Sequence, residues 1–233
     1  AASDVYKRQG KTTVATQLAT ALSNKGYRVL LATTDPTKEI NVETTSNLNT
    51  AYIDEEQALE KYKKEVLATV NDDTPQDDID YIMEDLKSPC TEEIAFFKAF
   101  SDIMENQDDM DYVIVDTAPT GHTLLLLDSS ENHHRELKKK STQTTSNVET
   151  LLPKIQNKNL TQMIIVTLAE KTPYLESKRL VEDLNRANIG HNWWVVNQSL
   201  VTLNQRDDLF SNKKEDESFW INKIKNESFD NYF

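Results

Sequence analysis

The sequence predicts an α/β fold in which helices cover both faces of a parallel sheet. Short apolar runs without polar alternation recur along the 233-residue chain, as strands buried on both faces require. Amphipathic stretches at helical spacing separate them, and strand-helix-strand units of this kind give right-handed crossovers and parallel strands. Glycine and proline stand where those helical stretches start and stop.

Taken in chain order, Lys11 to Lys25 sets Val14, Ala15, Leu18, Ala19 and Leu22 at helical spacing, and Gly26 follows where a left-handed helix stop is expected. Arg28 to Thr34 (RVLLATT) then reads as a buried strand. Thr69 to Asp80 (TVNDDTPQDDID) is acidic and poor in apolar residues, which predicts a surface loop joining helical pieces. Tyr112 to Val115 (YVIV) is the second strand. Ser129 to Val148 is polar and is expected to be a mobile insertion; its His133 and His134 fit a solvated helix better than a metal site, and Lys138 to Lys140 a solvated helix end. Met163 to Leu168 (MIIVTL) is the third strand. Pro173 to Asn188 is a helix with proline in its first turn, closing before Gly190. Trp193 to Val196 (WWVV) is the fourth strand, its tryptophans read as core and packing surface. No internal repeat is visible, and residues 10–233 are expected to form a single, incomplete domain.

Composition excludes several classes. A chain of 233 residues buries about 70% or more of the surface it exposes when unfolded, so a real core is available without disulfides. Its one cysteine cannot close an internal bridge, and no basic and then apolar segment opens the sequence; a reduced, cytoplasmic setting is expected. No window approaches the roughly 18–20 apolar residues of a membrane span. With 26 Lys+Arg against 39 Asp+Glu, the net charge of -13 has the wrong sign for a reader of nucleic-acid phosphates.

Chemistry enters at Gly10-Lys11-Thr12-Thr13, directly before the first helix. Unpaired backbone N–H groups and the helix dipole favour an anion there, the lysine neutralises phosphate charge, and the first hydroxyl can reach a magnesium ion. Alone, GKT is weak: the full pattern wants glycine five residues before Gly10, where Val5 stands. Residues 1–9 (AASDVYKRQ) supply neither an apolar strand nor flexible glycines, and SDVYKRQ resembles translated adaptor or vector sequence; a leader foreign to the domain is expected. Asp35-Pro36 follows one predicted strand, and Asp116-Thr117-Ala118-Pro119-Thr120-Gly121-His122 follows the next. Ligands of open α/β sheets bind at the carboxyl ends of strands, so both aspartates share an edge with the phosphate loop. Either one alone fits a turn or cap; the convergence favours a nucleotide site.

With these residues the chain resembles the arsenical pump-driving ATPases, relatives of the deviant P-loop ATPases. The matching strings are GKTTVATQLATAL, TTDP, LKSPCTEEIAFFKAF, DTAPTGHTLLLLD, HRELKKK and WWVVNQSL. The resemblance is strongest to the second of two homologous halves, and it implies a P-loop NTPase-type parallel sheet flanked by helices on both faces, truncated at both ends. It gives Gly10, Lys11, Thr12 and Thr13 to the phosphates of ATP, with Thr12 and Asp116 at Mg2+. It makes Asp35 the residue that positions or activates the attacking water, Lys11 its catalytic partner, and Asn197 the reader of the adenine edge. Tyr6, Lys7 and Arg8 stand where the family has lysine and glycines.

The resemblance also implies a metalloid site of Cys90, Ser88 and His122 at the interface between halves, taking As(III) or Sb(III) as effector or substrate. Thiolate and imidazole suit such soft ions. The implied partners are a second ATPase half, in the same chain or as a homodimer, an integral-membrane arsenite efflux channel and an arsenic metallochaperone, with no nucleic acid. The implied place is the cytoplasm, peripheral at the inner face of the membrane through the pump. Two alternatives stay open: a tail-anchored-protein targeting ATPase, which would want a Cys-x-x-Cys clasp and a Met-rich groove, and a half that binds metalloid or nucleotide without hydrolysis.

Overall fold

The computed structural model describes residues 9–33, 46–68, 70–71, 74–105, 109–116, 153–191, 193–203 and 208–228. Its elements are α1 (Lys11–Asn24), β1 (Val29–Thr33), β2 (Leu48–Tyr52), α2 (Glu55–Leu67), α3 (Gln76–Asp85), α4 (Pro89–Glu105), β3 (Tyr112–Asp116), β4 (Ile164–Leu168), α5 (Lys171–Arg186), β5 (Trp193–Asn197) and α6 (Asp208–Ser228). The described residues form two compact units. One runs from Ala15 to β3; the other joins the residues up to Val14 with those from Lys154 onward.

In the first unit β1 is central and pairs in parallel with both neighbours, in the order β2-β1-β3, with Val29 opposite Leu48 on one side and Tyr112 on the other. All five residues of β1 are buried, which is why its sequence is a continuous apolar run. Ala19 of α1 seals onto Val29, Leu31 and Leu48, with Ala15, Leu22 and Ile114 around them. The helix stops at Gly26: its φ of 92° places the Gly26 N–H on the Ser23 carbonyl (2.9 Å) and the Tyr27 N–H on that of Leu22 (3.3 Å), the paired bonds of a left-handed C-cap. Arg28 clamps the strand entry, its backbone N–H donating to Asp111 Oδ2 at 2.8 Å and its guanidinium to Asp111 Oδ1 at 3.3 Å. Helices α2 and α4 are tied by the Lys61–Asp102 ion pair (3.1 Å) and by Lys98–Glu65.

The second unit holds the parallel pair β4-β5, with Ile164 opposite Trp193. Helix α5 lays Pro173, Tyr174, Ser177, Val181 and Leu184 inward, the 3–4 residue spacing of an amphipathic helix. Pro173 sits in its first turn, where the missing N–H is one that no helical carbonyl would take. The helix closes before Gly190, as expected: it ends at Arg186, Asn188 takes the left-handed conformation (φ 56°), and Ile189 N–H reaches the Leu184 carbonyl at 2.9 Å. Trp194 is fully buried and Trp193 is exposed on the other face, as alternation along a strand requires.

The α/β class therefore holds: both sheets are parallel and flanked by helices. One expectation is corrected. Thr69 to Asp80 is not loop throughout, because α3 begins at Gln76, with Asp77 and Asp78 in its first turn, where negative charge meets the positive end of the helix dipole. The expected insertion at Ser129 to Val148 lies outside the described residues. No helix among the described residues is long and apolar enough to cross a membrane.

Candidate functional site

The phosphate-loop candidate is built where the chain turns into α1. Gly10 has φ 84°, a conformation that side chains oppose, and it accepts the first helical bond, from the Val14 N–H at 3.0 Å. Lys11, Thr12 and Thr13 are the first turn of α1, so their N–H groups are among the four that no helical carbonyl can accept. They face the entrance of the helix, the positive end of its dipole.

Asn197, the last residue of β5, closes over this turn. Its Nδ2 donates to the Gln9 carbonyl at 3.0 Å, while its Oδ1 accepts from the Gln198 N–H at 2.9 Å. A Cβ on Gly10 would stand 2.1 Å from Asn197 Nδ2. A larger residue here would have to push the amide aside and would be strained at this φ, so glycine suits the position on both counts. The structure thus brings Asn197 together with Gly10, Lys11, Thr12 and Thr13, and it adds Gln9, which sequence reasoning had set aside with the leader.

An anion fits this cradle. Gln9 is 1% exposed, and its Nε2 finds no acceptor among the described residues. A buried donor without an acceptor is costly, and a phosphate oxygen beside the loop would satisfy it.

Asp116 ends β3 beside the end of β1. It is 8% exposed, and its Oδ2 accepts a hydrogen bond from Thr33 Oγ1 at 3.4 Å, across the register that pairs the two residues. Thr33 is thus a supporting residue that sequence reading missed; its place opposite a strand-end aspartate was the available signal. Hydroxyl and carboxylate oxygens such as those of Thr12 and Asp116 suit a hard dication. Asp35, two residues beyond Thr33, lies outside the described residues.

Ser88 and Cys90 fall at the junction of α3 and α4. Ser88 N–H donates to the Asp85 carbonyl at 2.9 Å, Thr91 N–H to the Ser88 carbonyl at 3.0 Å, and Thr91 Oγ1 to the Asp85 carbonyl at 2.6 Å. These bonds fix the backbone at the start of α4, where Cys90 is the second residue. The Cys90 side chain and all of His122 lie outside what is described.

Comparison with known proteins decides the relationship. The sequence model of the anion-transporting ATPases matches residues 9–154 and 132–232, which together take in nearly all of the chain. The chain belongs to the anion-transporting ATPase family. Its parallel, helix-flanked sheets are the P-loop NTPase-type architecture of that family.

Among its relatives, the arsenical pump-driving ATPase of Acidiphilium multivorum is 38% identical over 95% of the chain and 38% of its own length. That of Escherichia coli is 38% identical over 94% of the chain, again 38% of its own length. The chain thus spans under two fifths of these relatives. The putative arsenical pump-driving ATPase 2 of Aquifex aeolicus is 31% identical over 93% of the chain and is itself covered to 85%. A more distant member, ATPase GET3 of Scheffersomyces stipitis, is 26% identical over 82% of the chain.

Proposed function

We propose that the chain is an ATP-hydrolysing half of a cytoplasmic motor that drives efflux of trivalent arsenic or antimony. The observation that carries this reading is the cradle at Gly10: a glycine at φ 84° whose Cβ would displace the Asn197 amide, at a helix entrance, in a member of an ATPase family.

In this reading the N–H groups of Lys11, Thr12 and Thr13 bind phosphate oxygens, and the Lys11 ammonium balances their charge. Thr12 Oγ1 and the Asp116 carboxylate would hold Mg2+, with Thr33 steadying Asp116 through its hydrogen bond. When bound, Mg2+ supplies positive charge where the transferring phosphoryl group gathers negative charge. Asp35 orients the attacking water and draws on its proton, and Asn197 faces the adenine edge. Positioning and charge stabilisation are what phosphoryl transfer chiefly demands, and these residues supply both.

Cys90, Ser88 and His122 form this chain's share of the metalloid site, as thiolate, hydroxyl and imidazole donors to a soft ion. A second ATPase half completes the site, an integral-membrane arsenite channel receives the work, and an arsenic metallochaperone delivers As(III). The motor is then peripheral at the inner face of the membrane.

The test is ATP hydrolysis with and without antimonite, for the protein and for its Cys90→Ser variant. Stimulation by antimonite that weakens several-fold in the variant supports the metalloid-coupled motor. Hydrolysis indifferent to both would shift the reading toward client targeting, and no Mg2+-dependent hydrolysis would remove the enzymatic reading altogether.

A further inference from the structure

The turn after β5 is more heavily built than a strand-helix connection needs. Gln198 is a non-glycine residue in the left-handed region, with φ 56°. Such a conformation costs of the order of 1 kcal/mol or more and persists only where its surroundings hold it. They do. On one side Gln198 N–H donates to Asn197 Oδ1 at 2.9 Å. On the other, Glu217 of α6 takes hold of the next two residues, its Oε2 accepting from the Leu200 N–H at 2.7 Å and from Ser199 Oγ at 3.0 Å. Ser199 Oγ in turn accepts from the Val201 N–H at 3.3 Å.

Glu217 is 3% exposed. A buried carboxylate is expensive to desolvate, and a neutral side chain would spare that penalty if packing alone were required. Its charge-assisted bonds to a hydroxyl and a backbone N–H are the strong kind, and they fix the turn in one shape. That shape decides where Asn197 stands, and Asn197 in turn bonds the Gln9 carbonyl and lies directly on Gly10. Lys214, one turn earlier on α6, binds the Leu203 carbonyl and Ser218 Oγ donates to the Lys214 carbonyl at 2.6 Å, so the helix grips the far end of the turn as well.

We propose that Glu217 is a positioning residue for the phosphate loop: through Ser199 and Leu200 it sets the turn that presses Asn197 onto Gln9 and Gly10. It touches no substrate. Its effect is to keep the N–H groups at the entrance of α1 aimed at one point, and a displacement of about 1 Å in such an array is enough to weaken binding markedly. This rests on the nucleotide-site reading of Gly10 to Thr13 for its functional consequence, and not for its structural one.

The test separates the two. Backbone 1H–15N spectra and Mg-ATP binding are compared for the 233-residue chain and for Glu217→Gln, Glu217→Ala and Ser199→Ala. The glutamine retains an oxygen that can accept both bonds but loses their charge assistance, so it moves the Gly10 amide resonance and the ATP affinity less than the alanine does. Glu217→Ala moves the resonances of Asn197 to Val201 and of Gln9 to Lys11 together, and weakens ATP binding by roughly tenfold, as the loss of a charge-assisted hydrogen bond implies. Ser199→Ala removes one of the two bonds and gives the same pattern at smaller amplitude, which keeps the test decisive if Glu217→Ala does not fold. Resonances at Gly10 that stay fixed while those of the turn move would overturn the proposal. If the two sets move together but no form binds ATP, the positioning role stands and the nucleotide reading falls.

Discussion

At the scale of single residues, the loop before α1 is defined by what cannot be added to it. Gly10 combines a φ of 84° with an amide nitrogen 2.1 Å from where its Cβ would be, so substitution meets two independent obstacles. Gly10→Ala must either rotate the loop out of the left-handed region or push Asn197 off the Gln9 carbonyl. Both re-aim the N–H groups that would hold a phosphate. We expect Gly10→Ala to lower ATP affinity by at least roughly tenfold, the factor that corresponds to one lost hydrogen bond to a charged group. It should leave the overall fold intact, because Gly10 lies at a helix entrance and outside the buried cluster around Ala19. Calorimetric titration with Mg-ATP beside a circular-dichroism melt checks it; unchanged affinity in a folded variant would remove Gly10 from the site.

Elements were legible in the sequence to the extent that each carried its own signal. β1 is an apolar run because both of its faces are covered, whereas β4, equally apolar in sequence, buries Ile165 and Thr167 and leaves Ile164 exposed; α5 repeats its apolar positions because one face is covered. β2 carried no such signal. Of its residues LNTAY only Leu48 is buried, and it is a strand because it sits at an edge and borrows its order from the backbone of β1. The acids that suggested a loop near Asp77 serve the first turn of α3, a local electrostatic preference that composition alone cannot tell from solvation. The candidate site divides in the same way. Gly10 to Thr13 and Asp116 announced themselves by motif and strand end, whereas Thr33, Gln9 and the closure by Asn197 depend on contacts between residues 83 or 188 apart in sequence. Where a signal and a contact coincide, the consequence for stability is large. Leu184 is fully buried on α5 and its carbonyl also receives the Ile189 N–H that ends the helix. Leu184→Ala should cost about 2–5 kcal/mol, the range for a buried leucine whose site relaxes only in part. Denaturant unfolding would show it as a lower midpoint at unchanged slope, and a loss below about 1 kcal/mol would mean that the pocket collapses around the alanine.

At the scale of the whole molecule, a net charge of -13 means that stability responds to pH through many carboxylates at once, and a local effect has to be isolated by difference. Asp111 allows this. The Arg28 backbone N–H, then the Arg28 guanidinium, hold its carboxyl below the ordinary aspartate value. A carboxylate whose folded-state pKa is depressed contributes stability that is complete above its unfolded pKa, about 3.9, and is lost as pH falls through the lower folded value. Asp111→Asn retains the shape but removes the charge, and its amide nitrogen offers a donor where Arg28 requires an acceptor. The variant should therefore melt at a lower temperature than the parent at neutral pH, by an amount that stays constant down to about pH 4 and then closes on further acidification. Subtracting one melting curve from the other largely cancels the common response of the remaining carboxylates, since both proteins carry them. Added salt should narrow the same gap at neutral pH, because Asp111 and Arg28 are both open to solvent and their attraction is screened. Melting temperatures of the two proteins taken in parallel from pH 7 to pH 2.5 decide the matter. A gap that persists unchanged at the acid end would mean that Asp111 acts through packing at the strand entry, not through its charge.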